Sequence, residues 1–129
     1  MSKRKQKKPD FELEIDRIPP SVNHMYVITR SMRKVPTKNA KEFIQYVRDL
    51  ASIKARKEHL VMYEEKKFFR MEIEFVFPNR KFPDPNNLLK ALIDAFEGIV
   101  FKNDKYCLPS ITSAKVEKNV SKTIVRFYF

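Results

Sequence analysis

Pro83-Asp84-Pro85-Asn86-Asn87-Leu88-Leu89-Lys90-Ala91-Leu92-Ile93-Asp94-Ala95-Phe96-Glu97-Gly98 is the stretch on which the architecture turns. Asp84 followed by Pro85 is a helix start: a carboxylate able to accept backbone N–H groups, then a residue whose φ is already helical. Leu88, Leu89, Leu92, Ile93 and Phe96 make one broad apolar face. Asn87, Lys90, Asp94 and Glu97 recur at spacings of three, four and three and form a polar stripe opposite it. Gly98 supplies the stop.

Strand patterns flank this helix. Before it, residues 67–77 place Phe69, Met71, Ile73, Phe75 and Phe77 on one side and Arg70, Glu72 and Glu74 on the other. After it, two strands are predicted at about Ile111–Glu117 and Thr123–Phe129, joined by Asn119-Val120-Ser121 and read as a hairpin. Upstream, Thr37 is the expected N-cap of a helix reaching about His59, with Phe43, Val47, Leu50 and Ala51 toward the core. The first strand alternates Phe11, Leu13 and Ile15 with Glu12, Glu14 and Asp16. Pro19-Pro20 ends it, and the segment to Pro36 reads as a basic loop without helical period. The order is β-α-β-α-β-β. The expected class is α+β, a mixed β-sheet with two main helices packed on it.

The formal net charge of +11 points to a polyanionic partner and to salt-dependent affinity. Gly98 is the only glycine, so no glycine-rich phosphate loop exists. One cysteine, Cys107, excludes an intramolecular disulfide and fits a reducing interior, while His24 and His59 lie too far apart in sequence to suggest structural zinc. No apolar run approaches a membrane span and the start is too basic for a signal peptide, so a soluble cytoplasmic protein without membrane contact is expected. Residues 1–9 read as a disordered basic tail and 10–129 as one domain.

Against that basic background, Asp84, Asn86, Asn87, Asp94 and Glu97, with Asn103-Asp104 beyond the helix, concentrate the hard oxygen donors that a divalent cation such as Mg²⁺ takes. Each has a simpler reading. Asp84 serves as a cap, and Lys90 with Asp94 as an ordinary surface pair. Spacing alone does not separate a solvated helix face from a metal site.

The run from Pro83 to Asp104 resembles the signature of the RusA-like Holliday-junction resolvases: approximately Pro-Asp-x-Asp-Asn-Leu-x-Lys, a helix with Leu-Asp-Ala-Leu, a glycine, and a terminal Asp-Asp. Ile18-Pro19-Pro20-Ser21-Val22-Asn23-His24-Met25-Tyr26 is similar to the family's early Pro-Pro-Ser-x-Asn segment. The resemblance covers nearly the whole chain and implies a homodimeric, Mg²⁺-dependent endodeoxyribonuclease, with Mn²⁺ as a substitute, that binds four-way DNA junctions and nicks two strands symmetrically. It implies catalytic positions at Asp84, Asn86, Lys90 and Asp104. Asp84, Asn86 and Asp104 would hold the metal, and Asn87 and Asp94 would support them. DNA contacts are then expected from Asn23, Tyr26, Arg30, Arg33, Lys34 and Lys38, with Tyr26 either stacking on a base or anchoring its own loop.

Two positions depart from the pattern. Asn86 stands where the family usually has a second aspartate, and Asn103 where it often has the first of an Asp-Asp pair. An amide oxygen can touch Mg²⁺ but brings no charge. Three readings follow: an enzyme that tolerates Asn86 with help from Asp94 or Glu97, a branched-DNA binding protein that has lost cleavage, or a deliberate replacement of aspartate.

Overall fold

The computed structural model describes residues 7–129. Residues 1–6, most of the expected tail, lie outside the described residues. Lys7 sits beside the end of the chain, its ammonium 3.0 Å from the Phe129 carbonyl.

A four-stranded mixed sheet carries the fold. Its strands are β1 (Phe11–Ile15), β4 (Phe69–Phe77), β5 (Cys107–Val116) and β6 (Lys122–Tyr128), in the spatial order β1-β6-β4-β5. β6 is antiparallel to both β1 and β4, whereas β5 runs parallel to β4. The α+β class and the mixed sheet stand as expected.

The last two strands do not pair as a hairpin. They flank β4 on opposite sides, and the connection between them crosses the end of that strand. Glu117 N–H donates to the Phe77 carbonyl at 2.9 Å and Asn119 N–H to Pro78 at 3.1 Å. Asn119 takes the turn's left-handed conformation at φ 63°. β4 is the natural centre because it is the most apolar strand. Phe69, Met71, Ile73, Phe75 and Phe77 line the core, and Val76 is buried on the other face.

A second correction concerns the segment before Pro36. It contains a two-stranded antiparallel hairpin, β2 (Tyr26–Ile28) and β3 (Lys34–Pro36), preceded by a 3₁₀ turn at Val22–His24. Strands of three residues are too short to leave an alternation pattern. β5 also starts four residues before the expected Ile111, because its first half has no alternation of burial to read.

Two helices cover one face of the sheet. α1 (Lys38–Lys57) starts where Thr37 Oγ1 accepts the Ala40 N–H at 3.2 Å. It buries Ala40, Phe43, Val47, Ala51 and Ala55. The alanines let it approach the sheet and the second helix closely. α2 (Leu89–Phe96) follows a 3₁₀ turn at Pro85–Leu88 and buries Ala91, Leu92, Ala95 and Phe96. Phe11, Phe75, Phe77, Phe96, Phe101 and Phe127 are fully buried, which spends six of the 11 phenylalanines on the core. Burying each is worth about 1.5–3 kcal/mol relative to exposure. Among the described residues, no helix is long and apolar enough to cross a membrane.

Candidate nuclease site

Asp84 ends the loop after β4 and caps the Pro85–Leu88 turn. Its Oδ1 accepts the Asn86 backbone N–H at 3.0 Å and the Asn86 side-chain amide N–H at 3.3 Å. The cap expected from sequence is therefore present, although it opens a 3₁₀ turn and not the α-helix itself. Asp84 Oδ2 accepts no hydrogen bond among the described residues. Both side chains are exposed. Asn87 closes the turn through its N–H to the Asp84 carbonyl at 3.0 Å.

One turn into α2, Lys90 Nζ lies 3.4 Å from Asp94 Oδ2, the i,i+4 pair that the spacing suggested. Partial burial opposes the Lys90 ammonium. The charge and hydrogen bond of Asp94 outweigh it, aided by Tyr26 and Asp104, and hold Lys90 above the usual lysine value. Lys90 thus shares an electrostatic neighbourhood with Tyr26, at the base of the β2–β3 hairpin, and with Asp104, on the loop after α2.

Asp104 is placed by its backbone. Its N–H donates to Glu97 Oε2 at 2.8 Å, and Asn103 Oδ1 accepts the Lys105 N–H at 2.9 Å. Glu97 is itself fixed from α1. Arg48 Nη1 donates to the Glu97 carbonyl at 2.7 Å and reaches those of Asp94 and Ala95 at 3.5 Å. A guanidinium here satisfies carbonyls that the helix end leaves open and complements its negative pole. Gly98 follows at φ 87°, and a Cβ there would stand 3.5 Å from Arg48 Nη2. Arg48 was absent from the expected site, and Glu97 was expected there as an oxygen donor and not as the anchor of the Asp104 backbone. A lone arginine on a basic helix gives no sign in sequence that it caps another helix.

Asp104 is the first residue of the 3₁₀ turn, Asp104–Tyr106, that leads into β5. Burial pushes the Cys107 thiol up to about 12, with the Asp104 charge adding to it. Cys107 is thus a protonated core thiol and not a nucleophile. The Pro85–Leu88 turn packs against β5, and the Val22–His24 turn packs against both Pro85–Leu88 and α2. The two halves of the sequence motif therefore border one corner, with the early Pro-Pro-Ser-x-Asn segment beside them.

The remaining expected contacts lie on or near the hairpin. Asn23, Arg30, Arg33, Lys34 and Lys38 are exposed. Tyr26 is half-buried, and the Lys34 ammonium sits 4.4 Å from its ring centroid.

The family model of endodeoxyribonuclease RusA matches residues 17–128. The chain belongs to this family. Comparison with curated proteins gave no match. The RusA family is one of Holliday-junction-resolving endodeoxyribonucleases.

The donor chemistry suits a hard cation. Asp84 Oδ2 and both Asp104 carboxylate oxygens accept no hydrogen bond among the described residues, and every donor is an oxygen. The charge is thinner than three aspartates would give. Among the described residues, no three His, Cys, Asp or Glu side chains are grouped to hold a metal. The amide nitrogen of Asn86 faces Asp84, a contact that a carboxylate at 86 would replace with repulsion and a demand for a cation.

Proposed function

We propose that this RusA-family protein is a Mg²⁺-dependent Holliday-junction resolvase. Asp84 and Asp104 would hold the ion directly, with Asn86 as a neutral third donor and Mn²⁺ as a substitute. When bound, the ion lowers the pKa of water and polarises the scissile phosphoryl group. Lys90, kept cationic by Asp94 and the field of Asp104, places positive charge against the phosphate or the leaving oxygen. Asn87 and Asp94 orient their neighbours. Glu97 and Arg48 position Asp104 through its backbone. Asn23, Arg30, Arg33, Lys34 and Lys38 bind phosphates, and Tyr26 steadies the hairpin that presents them.

Symmetric nicking of a two-fold junction requires two sites related by two-fold symmetry, so the working unit is a homodimer. A buried free thiol and the absence of a spanning helix among the described residues suit a reducing cytoplasm.

The observation that supports this reading best is the packing of the Pro85–Leu88 turn, which Asp84 caps, against β5, into which the turn carrying Asp104 leads. A second reading has its own support. The Asn86 amide donates to Asp84 where the family pattern has an acid, which favours a branched-DNA binding protein without cleavage.

A nicking assay on a synthetic four-way junction separates them, run with Mg²⁺ and Mn²⁺ on this chain and on Asn86→Asp, with linear duplex as control. Nicking by both supports a natural enzyme. Nicking only by Asn86→Asp identifies a site short of charge. Tight junction binding without nicking by either leaves the binding protein.

A further inference from the structure

The tip of the β2–β3 hairpin is built for more than phosphate binding. Ile28 is 71% exposed, Met32 81% and Val27 52%, and none of them contributes to the core. They stand in a one-sided charge environment. From Arg17 to Lys41 no acid occurs, and Arg30, Arg33 and Lys34 surround the apolar side chains. Greasy groups on a cationic arm are costly in water and badly placed for a purely electrostatic grip.

The tip is also organised in advance. The Thr29 N–H donates to Arg33 O at 2.9 Å, and the Met32 N–H to Thr29 O at 2.9 Å. Thr29 Oγ1 accepts the Arg33 N–H at 3.2 Å and lies 3.0 Å from Ser31 Oγ. This knot holds Met32 at φ 59°, a conformation that glycine or asparagine would adopt with less strain. A long apolar side chain is thus held outward, against local preference, on a fixed turn.

The root of the arm is tied to the nuclease corner. Met25 is buried, and the Thr37 N–H donates to its carbonyl at 2.7 Å. Thr37 Oγ1 donates to the His24 carbonyl at 2.9 Å. The Val22–His24 turn at the arm's root packs against β2, the Pro85–Leu88 turn and α2. Three-residue strands give an arm of about 10 Å, the height of about three stacked base steps at ~3.4 Å each.

We infer that this hairpin is a wedge. Met32 and Ile28 enter the base stack of branched DNA where the strands part, while Arg30, Arg33 and Lys34 hold the flanking phosphates. The inference rests on the branched-DNA reading above. Apolar side chains, methionine and isoleucine among them, insert between base steps in proteins that bend DNA. The flexible thioether of methionine adapts to such a gap. The basic surround favours a polyanion over a second copy of this equally basic chain, and so few apolar groups bury too little area to hold a lipid surface.

The test uses a four-way junction carrying 2-aminopurine at its branch point, titrated with the full chain, with Ile28→Ser/Met32→Ser and with Met32→Gly. Met32→Gly relaxes the turn while removing the side chain, so it separates side-chain insertion from hairpin loss. The expected result is a severalfold fluorescence rise with the parent protein, reduced in Met32→Gly and absent in the double variant. Junction affinity of the double variant should fall at least tenfold while affinity for linear duplex stays within twofold.

Equal fluorescence from all three proteins overturns the wedge. So does a double variant that sediments as a smaller species, which would make the tip a subunit contact, or one that loses only binding to anionic vesicles. If the parent protein does not prefer the junction to linear duplex, the branched-DNA reading itself fails. If that preference persists in the double variant, the wedge alone fails.

Discussion

The outer face of the sheet and the corner around Asp84 and Asp104 treat acidic side chains in opposite ways. On the sheet face Glu12, Glu14, Glu72 and Glu74 each meet a cation, three of them across the strands. Arg126 bridges Glu12 and Glu74, Lys122 pairs with Glu14 at 3.0 Å, and Arg70 stands 3.9 Å from Glu72. Arg126 is held above its usual value by its hydrogen bond to Glu74, against a partial burial cost. In the corner, Asp84 and Asp104 form no ion pair among the described residues, although the chain has 27 lysines and arginines to offer. Asp84 receives only N–H groups of Asn86, and Asp104 is anchored through its own N–H. One region uses carboxylates as structural cement; the other keeps two of them available to an external cation.

That contrast is broken most severely at Asp104. Asp104→Ala should lower junction nicking by about 10³-fold or more if the carboxylate holds the ion. Its melting temperature should move little, because the Glu97 contact is made by the backbone N–H. Single-turnover nicking beside a thermal melt reads both. Asn86→Asp sharpens the same contrast from the other side. It should raise the Mg²⁺-supported rate and tighten metal binding, since affinity at such sites grows with ligand charge. Without metal it should cost stability, as two carboxylates then face each other; melts with and without Mg²⁺ measure that difference.

Arg48→Ala tests the bridge between the regions. Losing a charged donor to the Glu97 carbonyl should cost about 1.5–3 kcal/mol in a denaturant titration. It should also slow nicking, because Glu97 no longer sets the place of Asp104. Arg126→Ala, by contrast, should cost about 1 kcal/mol for pairs that remain partly exposed and leave nicking per folded molecule unchanged. The smallest effect concerns pH. The folded Lys90 value is raised, so its stabilising contribution is complete below the ordinary lysine pKa and is lost as pH rises through the higher folded one. Lys90→Met should therefore lower stability slightly at neutrality and flatten the alkaline end of the curve, which a pH series of denaturant titrations reads.

How much of this was legible in the sequence depends on the range of the interaction. The Thr37 and Asp84 caps, the Lys90–Asp94 pair and the alternation of β4 are written within a few residues, and the structure contains each of them. The family signature was legible because it is one nearly continuous run. Partnerships between distant segments were not. β5 and β6 are adjacent in the chain and joined by a credible turn, yet each pairs with β4, because that strand carries the most core-facing apolar side chains and both of its edges need partners. The hairpin at Tyr26–Pro36 was hidden by the brevity of its strands. Arg48 left no trace because its task is set by where α2 happens to end.

The most direct test of the account is where a metal goes. Anomalous diffraction from Mn²⁺-soaked crystals of this chain and of Asn86→Asp should place one ion about 2.1–2.2 Å from oxygens of both Asp84 and Asp104, with stronger occupancy in Asn86→Asp. An ion bound to only one of these carboxylates in both proteins, or none at the corner at saturating Mn²⁺, would contradict it.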